Sequence, residues 1–302
     1  MTQAVLLAAH GTVDDLNDLG AFVANVRRGH RPAPELLREL RRRYEAVGGG
    51  SPLNAINAEV ARKLQSRLQV RVAWANRLWR PYVRDVLAGL GRDRVRRVAF
   101  IPLAPHSAHV YEADARPSAQ EARIELACAA NWGQSPALRD AFASRVVQAL
   151  RPLPQAAGTT VMMTAHSLPR SVIDAGDPYE REVHTAADAI AKAVRERTAT
   201  RANFAVAFQS QGLAGAAGSM EWLGPDLNTT LDLIQARGDR HVVVVPIGFL
   251  ADHVEILYDL DVEVRSMATE RQLSYVRAAS LNADDDLIEA LAEVARPLLN
   301  HE

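Results

Sequence analysis

The chain has 302 residues, 48% of them hydrophobic and 24% charged, with a formal net charge of -1 at pH 7. That length suits two domains of roughly 150 residues, each able to bury a core. The balanced charge argues against both intrinsic disorder and nucleic-acid binding. A single cysteine, Cys128, excludes an internal disulfide and any cluster held by four cysteines of this chain. No apolar run approaches the roughly 20 residues of a membrane span, and the N-terminus lacks the basic start and long apolar core of a signal peptide, so a cytoplasmic protein is expected.

In chain order, the apolar runs AVLLAA (4–9), VRVAWA (70–75), VRRVAFIPLA (95–104), TTVMMTA (159–165), NFAVAF (203–208) and HVVVVPIGF (241–249) predict strands. Between them APELLRELRRRYEAV (33–47), NAEVARKLQSRL (57–68) and ALRDAFASRVVQAL (137–150) carry apolar residues at i, i+3 and i+4, the spacing of helices. Strands alternating with helices imply an α/β fold with mostly parallel sheets. Two strand-ending motifs recur in the same order about half a chain apart. VLLAAHGT (5–12) is echoed by VMMTAHSL (161–168), and VAFIPLAPHSAH (98–109) by VVVVPIGFLADH (242–253). The repeat predicts two similar α/β domains, residues 1–152 and 153–302, joined near the Pro- and Gly-bearing stretch RPLPQAAG (151–158).

Ligands of open parallel sheets bind outside the carboxyl ends of the strands. His10, His106, His109 and His166 all follow strands, and an imidazole there can exchange a proton near neutral pH or bind a metal. In PIGFLADHVEILYDLD (246–261), Asp252 followed by Glu255 fits a capping box. On a wheel turning about 100° per residue, Glu255, Asp259 and Glu263 fall within about 80° of one another. Like charges at i, i+4 disfavour a helix by themselves, so the row is either a solvated face or a path for cations and protons. The same wheel turns His253 towards Ile256, Leu257 and Leu260, which predicts a packing role. Arg27, Arg28, His30 and Arg31, with Arg41, Arg42 and Arg43, form a basic cluster suited to carboxylates or to a solvated helix face. GGGSPL (48–53) lacks the Lys-Ser/Thr ending of a P-loop. Tyr44, Trp74, Trp79, Tyr82 and Trp222 suit either a ligand pocket or the core, and Cys128, set in ELACAA, reads as inert packing.

Taken together, RRGHRPAPELLRELRRRYEAVGGGSPLN (27–54), LAPHS (103–107), TAHSLPRSVIDAGDPY (164–179), FQSQG (208–212), WLGPDLNTTL (222–231) and VPIGFLADHVEILYDLDVE (245–263) resemble the ferrochelatases, in particular the soluble, cluster-free type of Gram-positive bacteria. The resemblance implies two Rossmann-like, chelatase-type domains flanking a porphyrin cleft, and a lyase of haem biosynthesis that inserts ferrous iron into a porphyrin. Coproporphyrin III is the leading substrate and protoporphyrin IX the alternative. A protein that only binds haem or porphyrin is the competing reading, and it leaves the acidic row without a use. By position, His166 matches the family's catalytic histidine and Glu255 its acidic partner, with Asp259 and Glu263 continuing the row. These four residues and His10 are the expected metal-handling set. Arg27, Arg28, Arg43 and Ser51 are expected to bind the porphyrin. Iron is expected as substrate, with no cofactor, and transient contact with haem-pathway enzymes is expected besides. Two departures stand out. His10 replaces the Tyr of the AYGT motif, and SAHVYEADARP (107–117) replaces the usual continuation after LAPH, so that His109 and Tyr111 reshape the pocket wall.

Overall fold

The computed structural model describes residues 3–153, 158–210 and 220–299. Residues 154–157 of the linker motif and 211–212 of FQSQG lie outside the described residues. The chain divides into two compact units, Met1–Ala137 with Asn282–Glu302, and Leu138–Leu281.

The first unit carries β1 (Gln3–Ala9), β2 (Arg71–Asn76), β3 (Arg97–Pro102) and β4 (Glu125–Cys128), interleaved with α1 (Leu19–Val26), α2 (Pro34–Ala46), α3 (Leu53–Leu68), α4 (Val83–Arg92) and α5 (Ala108–Glu121). All strand pairings are parallel, in the order β2-β1-β3-β4. As the inner strand of a covered parallel sheet, β1 is apolar and buried from Ala4 to Ala9 without alternation. On one face Leu6, Val98 and Phe100 pack with Leu87 and Leu90 of α4 and Ala115 and Ala119 of α5.

The second unit opens with α6 (Pro136–Leu150) and continues through β5 (Thr159–His166), α7 (Arg170–Asp174), α8 (Tyr179–Arg197), β6 (Asn203–Gln209), α9 (Leu227–Ala236) and β7 (His241–Val245). A π-helical segment, Ile256–Val264, then runs into α10 (Arg265–Glu270) and β8 (Ser274–Arg277). This sheet is also parallel, in the order β6-β5-β7-β8, the counterpart of the first. The sequence echo therefore matches positions in the two sheets: β1 and β5 correspond, as do β3 and β7. Both β1 and β5 lie where strand order reverses, the usual place for a ligand in such sheets. Met162, Ala207, Val242 and Val244 pack against Leu231 and Ile234 of α9 and against Ile256, Leu260 and Val264 of the π segment.

The last helix, α11 (Asp285–Leu299), belongs to the first unit, where it packs on α3, β3 and β4. The boundary expected at 152/153 is thus corrected. α6 joins the second unit, the linker falls inside that unit between α6 and β5, and the chain's end returns to the first. The cause is amphipathic helices whose apolar stripes choose their own sheet: Leu287, Ile288 and Leu291 of α11 are all buried. Two strands escaped the sequence reading, β4 and β8. Each is a four-residue edge strand of partly exposed residues, too short to show a period.

Candidate active site

β5 ends at His166, and the chain there is held on three sides. The Ser167 amide donates to Gln209 O at 2.7 Å, Ser167 Oγ to Leu223 O at 3.0 Å, and buried Tyr179 Oη to His166 O at 2.9 Å. The Leu223 amide in turn donates to Leu168 O, so the AHSLP and WLGP motifs lie bonded side by side. The imidazole of His166 has its Nδ1 2.5 Å from Ser167 O. A carbonyl can only accept, so Nδ1 carries the hydrogen and Nε2 is the basic atom of the neutral ring. Nε2 lies 3.8 Å from Glu255 Oε2, with the two side chains 38% and 41% exposed, open enough to meet a ligand.

Gly248 makes this arrangement possible. A Cβ at that position would come within 2.7 Å of Ala165 Cβ and 2.8 Å of its Cα, so only glycine lets the loop after β7 lie on the end of β5, where the Gly248 amide donates to Thr164 O. The next residue, Phe249, sits between two imidazoles, with ring centroids 6.4 Å from His166 and 5.1 Å from His253.

His253 departs from its predicted packing role. Its Nδ1 faces Ala251 O at 3.1 Å and its Nε2 lies 3.8 Å from the same Glu255 oxygen that faces His166. Burial, the largest influence, pulls its pKa down, but the nearby Glu255 carboxylate, the Ala251 carbonyl and Asp259 together outweigh that and leave it raised. The wheel failed because helical backbone begins only at residue 254. Beyond it, a π turn holds more than 3.6 residues, so i+4 falls short of a full turn where an α-helix overshoots. Glu255, Asp259 and Glu263 still share one side. Asp259 is buried and accepts from Ser210 Oγ at 2.6 Å, while Glu263 is partly exposed. Ser210 has a left-handed φ of 59°, a strained backbone for a residue with a Cβ.

The other two acids of the stretch serve structure. Asp252 accepts from Arg277 Nη1 at 3.0 Å and from Ser280 Oγ at 2.7 Å, and Asp261 from Arg277 Nε at 2.7 Å. Two polar groups near the end of β5 could not be found from sequence, since only strand register places them. Gln209 pairs with His166 across β5 and β6, and Thr164 lies one pleat back. The Gln209 amide and the Thr164 hydroxyl are buried without a hydrogen-bond partner among the described residues. Also among the described residues, no three His, Cys, Asp or Glu side chains converge as a metal site. Of the expected metal-handling set, His166 and Glu255 are brought together, and Asp259 and Glu263 follow along the helix.

In the first unit, His10 follows β1, exposed, with Nδ1 on Gly11 O at 3.2 Å and its ring edge-on to Phe22. Gly11, at φ 104°, passes so close to Asn76 and Trp79 that a Cβ would meet both at 3.0–3.2 Å. His106 is 3% exposed, packed on Gly133, and burial pushes its pKa down to about 4, so it is a neutral core residue at pH 7. Arg28 has a left-handed φ of 55° and lines a cavity of about 420 Å³ with Asn25, Arg77, Tyr82, Arg84 and Tyr111. Arg77 lies over the Tyr111 ring and pairs with Asp114, and Arg84 lies over Tyr82. Arg27 forms the C-terminal cap of α1. Arg43 pairs with Glu39 at 3.0 Å along α2, and Ser51 Oγ is buried with no hydrogen-bond partner among the described residues. Cys128, with burial raising its thiol to about 12, is inert packing.

A model of the Ferrochelatase family matches residues 2–298. Curated relatives include a ferrochelatase of Herpetosiphon aurantiacus, 34% identical over 96% of this chain and 97% of its own length. A coproporphyrin III ferrochelatase of Bacillus subtilis is 32% identical over 96% of each chain. Among solved structures, SirB from Bacillus subtilis with Fe3+ shares the fold at TM-score 0.61 and 12% identity, covering 99% of this chain and 96% of SirB.

Proposed function

The chain belongs to the ferrochelatase family, and from that premise we propose that it inserts ferrous iron into coproporphyrin III for haem biosynthesis. The observation that carries the reading is His166 Nε2, a basic lone pair 3.8 Å from Glu255 Oε2 at the end of a central strand. Insertion replaces two pyrrole N–H protons by one Fe2+, so the site must take two protons from the face of a flat ring. His166 takes a proton at Nε2, its imidazolium is stabilised by Glu255, and Asp259 and Glu263 carry charge onward along the helix. Small movements close the pair when the substrate binds, as catalytic hydrogen bonds do. Iron passes along the same acids as a substrate, with no resident cofactor.

In the first unit Arg27, Arg28, Arg43 and Ser51 are the proposed partners of porphyrin propionates, and the guanidinium-walled cavity at Arg28 supports a substrate rich in carboxylates. Relatives named coproporphyrin III ferrochelatases support that substrate over protoporphyrin IX. No helix among the described residues is long and apolar enough to cross a membrane, and we place the reaction in the cytoplasm, with passing contact to enzymes of the pathway.

The test is anaerobic insertion of Fe2+, followed by porphyrin absorbance, with coproporphyrin III and protoporphyrin IX in parallel. His166→Ala is expected to slow turnover by about 100-fold or more, with Glu255→Gln close behind. Porphyrin binding without insertion by the wild type would defeat the enzyme reading. Equal turnover of the two porphyrins would defeat the substrate assignment.

A further inference from the structure

The acidic segment is gripped from outside by one short strand and the turn after it. Tyr275 Oη donates to Leu260 O at 2.7 Å. Arg277 spans two carboxylates nine residues apart in sequence, donating from Nε to Asp261 at 2.7 Å and from Nη1 to Asp252 at 3.0 Å. Ser280 Oγ adds a second bond to Asp252 at 2.7 Å. On the far side, Arg265 lies 4.9 Å over the Tyr275 ring and its Nε donates to Asp261 O at 3.1 Å.

A π-helical run of nine residues is unusual, because the i→i+5 ladder normally survives only as a single wide turn within an α-helix. Here Arg277 ties Asp261, within the run, to Asp252, four residues before the run begins. The Arg277 side chain is 14% exposed, and its charge is tolerated there because two carboxylates face it. The Leu260 carbonyl lies within the π run and gains an acceptor role outside its ladder.

We propose that Tyr275 and Arg277 are positioning residues of the insertion site. They hold residues 256–264 in the wide-turn path and so set where Asp259 and Glu263 stand relative to Glu255. If the segment relaxed to an α-helix, the tighter turn would carry each residue further round the axis, to about 100° per residue. Asp259 and Glu263, which fall short of full turns from Glu255 in the π path, would swing past it, still on one stripe but displaced from where they now stand. The inference rests on the proposed function for its catalytic meaning, while the grip itself is a property of the fold.

Two mild variants test it. Tyr275→Phe removes one hydroxyl, and Arg277→Lys keeps the charge but cannot bridge both carboxylates. In each, amide hydrogen exchange over residues 256–264 is expected to quicken about fivefold or more, in line with a lost hydrogen bond. In the insertion assay KM for Fe2+ is expected to rise about fivefold while KM for the porphyrin stays within about twofold. A purely structural role would lower the melting temperature and shift both constants together. Unchanged exchange in folded variants overturns the grip, and faster exchange with an unchanged iron KM overturns the positioning role. Should the wild type insert no iron, the functional reading falls alone, because exchange still decides whether the strand holds the segment.

Discussion

Glu255 faces two imidazoles at 3.8 Å, and that shared carboxylate makes the site a coupled unit. In the proposed function His166 and Glu255 act on the same proton, so their losses are not expected to add. The double variant His166→Ala, Glu255→Gln is expected to turn over within about threefold of the slower single variant, whereas independent roles would multiply the two losses. His106 behaves differently. Once unfolded, its ring takes a proton near its ordinary pKa of 6.5, but in the fold burial delays this to about 4. The stability it confers is complete above pH 6.5 and drains as pH falls towards 4, by up to about 3 kcal/mol. Urea unfolding of wild type and His106→Asn at pH 7 and pH 4.5 should show the wild type losing more, and parallel losses would refute the assignment.

At the scale of elements, the loop after β7 and the π segment convert a strand end into a site. Gly248 has no room for a methyl group beside Ala165, so Gly248→Ala must push Phe249 and the His166 strand end apart. The expected cost is about 1–3 kcal/mol of stability. Insertion should fall about 10-fold or more, since misplacing reacting groups by about 1 Å can cost 100-fold. Denaturation and turnover measured on the same preparation check both, and a fully active variant would show that the close approach has no bearing on the site. The capping box predicted at Asp252 met a competing demand: Arg277 and Ser280 draw the Asp252 carboxylate towards β8. No pattern within a helix reveals a partner that arrives from a distant strand.

For the whole molecule, the return of α11 to the first unit decides how the chain can be cut. Leu287, Ile288 and Leu291 are buried there, each worth roughly 1.5–3 kcal/mol. Truncation after residue 281 is therefore expected to lower the melting temperature sharply and expose α3 and β3 to protease. A chain divided at 152/153 would instead leave the first unit intact, and calorimetry with limited proteolysis separates the two. The sequence by itself determined the α/β class, six of the eight strands among the described residues, the doubling of one sheet plan and the histidine and acids at strand ends. Each of these is written in local periodicity or in a motif long enough to be read alone. Only the tertiary structure decided that α11 crosses back, that His253 turns to Glu255, that Gln209 lies beside His166 and that Arg277 claims two of the acids. These depend on contacts between residues far apart in the chain, where packing and charge pairing outweigh local pattern.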